Sequence, residues 1–144
     1  MKFRKEGKSV LLTLAKGDYI NHTFESFAET EGIGFGWLNG IGAIEDPEIG
    51  YYSIKDKKYH RKHFFGEYEL TSLIGNITLK EDKPFSHTHI TFSNTDFHVF
   101  GGHLFDARIT AAGEFIMKPE TKIITREMNN SIGLPLWCLE ESID

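Results

Sequence analysis

The sequence predicts an α+β fold: an antiparallel β-sandwich-like sheet with one main helix packed on it. Three observations predict it. Roughly seven to nine short runs rich in β-branched and aromatic residues alternate with polar breaks. The breaks are short, and short connections favour antiparallel pairing. A single segment, from about Tyr19 to Glu31, places its apolar residues at helical spacing. At 144 residues, the chain is read as a single domain over 1–144, with no linker, repeat or low-complexity segment.

Taken in order, Ser9 to Ala15 is short and apolar and reads as a buried strand, broken by Lys16-Gly17-Asp18. Asp18 is the expected N-cap of the helix. Ile20, Phe24, Phe27 and Ala28 form its apolar stripe, and Gly32 is the expected left-handed C-cap. In Gly32 to Ile44, glycines alternate with large residues. No G-x-G-x-x-G opens a helix there, so bulged strands are expected rather than a phosphate loop. Glu45-Asp46-Pro47 reads as a turn, Glu48 to Ile54 as a strand, Lys55 to Lys58 as a hairpin turn and Tyr59 to Phe65 as the returning strand. The lysine- and histidine-rich stretch Lys55 to His63 is expected on a solvated edge, where lysines deter pairing. Gly66 to Leu79 is largely β-prone, and Lys80 to Pro84 is a polar turn. Leu104 to Ala111 is followed by a break at Gly113, and Lys122 to Arg126 forms a last short strand. The tail from Met128 is expected along the body or against a neighbour.

Composition narrows the function classes. A net charge of −5 with scattered Lys and Arg lacks the basic stripe of a stand-alone nucleic-acid binder. The single Cys138 excludes an internal disulfide and fits a reducing compartment. No apolar run approaches the roughly 20 residues of a membrane helix. Met1 to Glu6 is charged, unlike a signal peptide, so a cytoplasmic protein without membrane association is expected.

The chemistry-bearing stretch is Pro84 to Phe92 with its partner Val99 to Leu104. In a strand, residues two apart share a face. Phe85, His87, His89 and Thr91 therefore fall on one side, and Ser86, Thr88, Ile90 and Phe92 on the other. His87 and His89 point the same way, about 6.5–7 Å apart at Cα. Ser93 to Asp96 reads as a turn, and the next run delivers His103 after Gly101-Gly102. Pairing as a hairpin would converge three imidazoles, a donor set suited to zinc or another divalent transition metal. Glu69 and Glu114 are candidate general bases or partners to these histidines. His22, His60, His63 and His98 are weaker ligand candidates. Ser72 and Ser86 have no nucleophile-elbow context, and Cys138 no nucleophile signature.

Several motifs in order resemble one family. They are Glu69 to Ile77, His87-Thr88-His89, Gly101-Gly102-His103-Leu104, Lys16-Gly17-Asp18, Asn39 to Ala43, Gly50-Tyr51-Tyr52 and Glu114. Together they resemble the PPC (plants and prokaryotes conserved, DUF296) domain, in its prokaryotic stand-alone form. The match spans roughly residues 8–127, leaving 128–144 as a C-terminal tail. The resemblance implies a β-sandwich-like domain with a helix, assembled as a homotrimer. It also implies His87, His89 and His103 as the positions where prokaryotic members hold a metal. In land plants the domain follows AT-hooks, whose Arg-Gly-Arg-Pro core is absent here. The plant Gly-Arg-Phe-Glu-Ile-Leu contact segment corresponds to Gly66-Glu67-Tyr68-Glu69-Leu70, with acid in place of arginine.

Two functions follow as expectations. The first is a homotrimeric DNA-binding or regulatory module that acts through protein partners and carries a three-histidine metal site. The second is a zinc-dependent enzyme or small-molecule binder using His87, His89 and His103, with a pocket at or near a subunit interface. The residues name no catalytic group and no substrate.

Overall fold

The computed structural model describes residues 1–139. Ten elements follow one another: β1 Lys2–Glu6, β2 Ser9–Ala15, α1 Ile20–Glu31, β3 Gly36–Ser53, β4 Lys58–His63, β5 Glu67–Lys80, β6 Lys83–Ser93, β7 Val99–Pro119, β8 Thr125–Asn129 and β9 Leu134–Cys138. The backbone of the architecture is a closed circuit. β3 pairs β5, β5 pairs β6, β6 pairs β7 and β7 returns to β3, all antiparallel. β2 continues the sheet from the far half of β7, β1 lies outside β2, and β4 pairs β3. The expected antiparallel pairing holds except at one place, where β5 meets β8 in a parallel bridge at Leu79 and Thr125.

Two expected breaks are absorbed into long strands. Glu45-Asp46-Pro47 lies inside β3, which shifts register against β7 between Glu45 and Glu48. Asp46 takes a positive φ of 50°, exchanges hydrogen bonds with Gly66 and makes the site a bulge instead of a turn. Gly113 lies inside β7, because Leu14 of β2 and Gly42 of β3 flank it and carry the ladder through. The strand expected from Lys122 is β8, which begins at Thr125, three residues later, and a further strand, β9, follows it. β1 carries no burial signal, since all of it is exposed, and only its pairing with β2 makes it a strand.

The helix runs close to its expected bounds, but it is capped differently. Asp18 is one residue too early and folds back, accepting the Ala15 N–H at 2.9 Å and meeting the N-terminal ammonium at 3.0 Å. The preceding N–H lowers its pKa. The Ncap position is Tyr19, whose side chain makes no capping hydrogen bond. Asp106 of β7 caps the helix from a distance: Asn21 N–H donates to Oδ1 at 3.1 Å and His22 N–H to Oδ2 at 3.4 Å. Burial raises the pKa of Asp106, and these N–H groups with that of Ala107 oppose the rise. Gly32 ends the helix at φ 65°, as its left-handed C-cap position requires.

Ile20, Phe24, Phe27 and Ala28 are buried against the sheet, where they join Leu12, Leu38, Ile44, Ile77 and Phe92 in one apolar core. Phe24 meets Phe115 edge-on at 5.0 Å. The alternation predicted for β6 holds: Ser86, Thr88, Ile90 and Phe92 are buried on the core side. The β8–β9 hairpin closes over the other side of β5, anchored by Trp137 packing edge-on against Phe35 and Trp37. No helix among the described residues is long and apolar enough to cross a membrane.

Candidate metal centre

The hairpin between β6 and β7 sets His103 directly opposite His89. His87 lies one turn of the pleat away on the same face, so the three rings form a nearly equilateral triangle. Their centroids are 5.3 Å (His87–His89), 5.3 Å (His87–His103) and 5.5 Å (His89–His103) apart. One nitrogen from each lies within 4.8 Å of the others. The glycines before His103 permit this approach. A Cβ on Gly102 would stand 2.9 Å from the Gly50 carbonyl, pushing β7 off β3 just where His103 is delivered.

The surroundings keep the imidazoles neutral. Burial pushes His87 down to about 4, with the charge of Arg126 and then His89 adding to the effect. Burial pushes His103 down to about 4, helped by His87, His89, Arg61 and Arg126. Burial also lowers His89. Tyr59 stacks on His103 at 5.0 Å and Phe105 meets it edge-on at 5.1 Å. Burial raises the Tyr59 phenol, Tyr52 adds to the rise, and Arg126 opposes it.

The residues fit a metal ion on three counts. The donors are imidazoles, which suit zinc and neighbouring transition metals. They are neutral at pH 7, as ligation requires. His103 Nδ1 is buried with no hydrogen-bond partner among the described residues, a costly state for a polar atom with no ligand to meet. A tetrahedral zinc with bonds of about 2.0–2.1 Å sets ligand nitrogens roughly 3.3 Å apart.

A cavity of about 390 Å³ opens beside the centre, lined by His87 and His103, by Tyr59, Phe85 and Pro135, and by Arg126. Arg126 is 9% exposed. Its Nε donates to Thr78 Oγ1 at 2.7 Å, Nη1 to the Pro135 carbonyl at 3.0 Å and Nη2 to Asn76 Oδ1 at 2.9 Å. Nη2 also lies 3.3 Å from His87 Nδ1. Burial lowers the pKa of this guanidinium, and Tyr59 works against the drop. The sequence reading missed Arg126 and Tyr59 as site residues. Each joins the histidines only through sheet topology and follows no local motif.

The other candidates stand apart. Glu69 and Glu114 flank Ile41 and Thr71 in a separate depression and contribute nothing to the histidine group. His60 and His63 are exposed on β4, the solvated strand expected for the lysine-rich stretch. His22 and His98 are exposed as well, although His22 reaches the cavity rim. The Ser86 hydroxyl is committed to Glu25 Oε1 at 2.7 Å. Cys138 is exposed at the end of β9, and residues 140–144 of the expected tail lie outside the described residues.

The model of the Plants and Prokaryotes Conserved (PCC) domain matches residues 1–119. The chain belongs to the PCC family. β8 and β9, which complete the cavity of this PCC protein, follow the matched region. Three solved structures are similar over nearly the whole chain. The metal-containing protein AF0104 of Archaeoglobus fulgidus is 36% identical, with TM-score 0.85, covering 96% of this chain and 100% of that one. A plant- and prokaryote-conserved (PPC) protein of Pyrococcus horikoshii is 34% identical, with TM-score 0.86, covering 97% and 96%. A candidate DNA-binding protein of Bacteroides thetaiotaomicron is 30% identical, with TM-score 0.91, covering 95% and 96%. A search of curated proteins gives no match.

Proposed function

We infer that this PCC protein is a metal-binding module that holds zinc, or a closely related divalent transition metal, on His87, His89 and His103. The observation that carries the reading is the convergence of three neutral imidazoles, one with a buried nitrogen that no described residue satisfies. The relative described as metal-containing supports it. When bound, the ion supplies Lewis acidity and a fourth position open to water or a ligand. The chain's own residues do the rest. Tyr59 and Phe105 wall the His103 ring, Gly102 lets it approach, and the cavity admits a small molecule to the His87 and His103 side. Cobalt(II) titration tests the reading. Visible absorption bands typical of four-coordinate cobalt should saturate at one equivalent and vanish in His87→Ala/His89→Ala. Bands that persist in the double variant would contradict it.

The module acts as a homotrimer in this reading. Its support is an exposed apolar sheet face formed by Trp37 and Ile41 on β3, Ile74 on β5 and Ile116 on β7, with Asn39 paired between the two last. Apolar patches of this kind mark association surfaces, and cyclic closure limits assembly. Light scattering at micromolar concentration should give three times the chain mass; a monomer would refute it.

A second reading, DNA-associated regulation, is favoured by the Bacteroides relative described as a candidate DNA-binding protein. With a net charge of −5 and no AT-hook core, the contact would run through protein partners. The purified protein should then show no retardation of A/T-rich duplex even at low salt. Salt-sensitive binding by the protein alone would establish direct recognition instead.

A further inference from the structure

We propose that the cavity beside the histidine centre binds small organic carboxylates, with Arg126 as the group that pairs the anion. The proposal deepens the metal-site reading and rests on it only for the tighter binding expected of the loaded protein. The first support is a charge without a counter-charge. Arg126 is nine-tenths buried and makes no ion pair among the described residues. Its firm partners are a hydroxyl, an amide oxygen and a backbone carbonyl, which satisfy hydrogen bonds but neutralise nothing. Burying an uncompensated guanidinium is costly, and the planar donor fork is the group best matched to a carboxylate.

The second support is where the nearby charges sit. Two carboxylates line the same cavity, but both are held on its helix side. Glu25 accepts the N–H and hydroxyl of Ser86 at 2.9 and 2.7 Å, and Asp106 accepts the first N–H groups of the helix. On the Arg126 side the cavity adds a second cation, Lys80, and the ring of Phe85, over which both cations stand at 5.4 and 5.5 Å. Leu134, Pro135 and Leu136 complete an apolar wall there. A cationic end with an apolar wall selects an acid with a short hydrocarbon body, and the volume suits a molecule of that size.

The third support is the Arg126–His87 contact itself. A guanidinium has only donors, so at 3.3 Å His87 Nδ1 must be the acceptor. Metal ligation by either nitrogen of His87 would end that arrangement. If Nδ1 ligates, its lone pair is taken; if Nε2 ligates, the ring proton moves to Nδ1 and two N–H groups face each other. Either way one Nη2 donor would be freed from His87, on a residue that lines the cavity. Of the five N–H bonds of Arg126, three would then be committed and two, one on each terminal nitrogen, uncommitted.

The test uses the full chain in metal-loaded and chelator-treated forms, with butanoate, its neutral amide butanamide, and inorganic phosphate as probes. Isothermal titration should show butanoate binding in both forms, more tightly with metal, and no measurable heat with butanamide. Arg126→Gln should weaken butanoate at least about tenfold with metal content unchanged. The Arg126 Nε–H signal of the wild-type protein should shift with butanoate and stay in place with butanamide, a readout that does not depend on the variant folding. Butanoate binding that survives Arg126→Gln, an unmoved Nε–H signal, or phosphate bound in preference to butanoate would overturn the proposal. Metal content is measured separately, so a chain that takes up no metal yet binds butanoate through Arg126 refutes the metal reading alone.

Discussion

Strand β6 carries polar side chains on both faces, and the two faces treat them in opposite ways. On the core face, Thr88 is fully buried and donates to Asn21 Oδ1 at 2.7 Å, while the Asn21 amide donates to the carbonyls of Leu104 and Phe105 at 3.1 and 3.0 Å. Every group there has a partner within the chain, as buried polar groups in structural roles require. On the cavity face, where His87 and His89 of β6 meet β7 and β8, His103 Nδ1 of β7 has none among the described residues, and Arg126 of β8 has hydrogen bonds but no counter-charge among them. The pleat of β6 thus faces, on one side, a satisfied network that fastens α1 to β7 and, on the other, a histidine cluster that holds an unsatisfied nitrogen.

Perturbing the two faces should separate stability from ligand binding. The largest stability loss is expected on the core side, where Phe24→Ala removes a fully buried ring and should cost about 3–5 kcal/mol in urea unfolding, with metal content per folded chain unchanged. On the other face, His87→Ala/His89→Ala should weaken metal affinity by about a hundredfold or more, roughly 2.7 kcal/mol, while leaving the unfolding midpoint of the metal-free protein close to wild type. A midpoint that collapses would make these histidines structural and erase the distinction. Asn21→Ala strands Thr88 and two carbonyls and should cost about 2 kcal/mol, again with metal binding intact. Asp106→Ala removes the distant helix cap at about 1 kcal/mol, measurable as a loss of helical circular dichroism before global unfolding.

The gentlest test is pH. His87 and His103 sit at about 4 in the fold, below the ordinary value of 6.5, so the unfolded chain binds more protons between these values. The stability of the metal-free protein should therefore be flat above about pH 6.5 and fall as pH drops from there towards 4. Both rings retain some solvent contact, so the fall should be gradual. His87→Ala/His89→Ala should flatten much of it; an unchanged profile in the variant would assign the acid sensitivity to other groups.

What could be read in the sequence follows from range of interaction. The helix stripe Ile20, Phe24, Phe27 and Ala28, the Gly32 cap and the two-residue alternation through His87 and His89 are local patterns, and each appears in place. His103 was readable because a short turn and two glycines restrict where its strand can go. Asp46 and Gly113 misled, since a bulge and a close strand approach use the same residue types as a turn. The Asp106 cap and the Arg126 contacts were hidden for a different reason. Asp106 lies 85 residues from Asn21, and Arg126 lies 39 residues from His87, with no periodicity linking either pair. Only the closed sheet circuit and the β8–β9 hairpin bring them together.

The most direct test is the zinc content of protein expressed without a histidine tag, loaded with one equivalent of zinc, then dialysed exhaustively against metal-free buffer and measured by atomic absorption. The account predicts close to one ion per chain, lost in His87→Ala/His89→Ala. Less than about a tenth of an equivalent, with the fold intact, would contradict it.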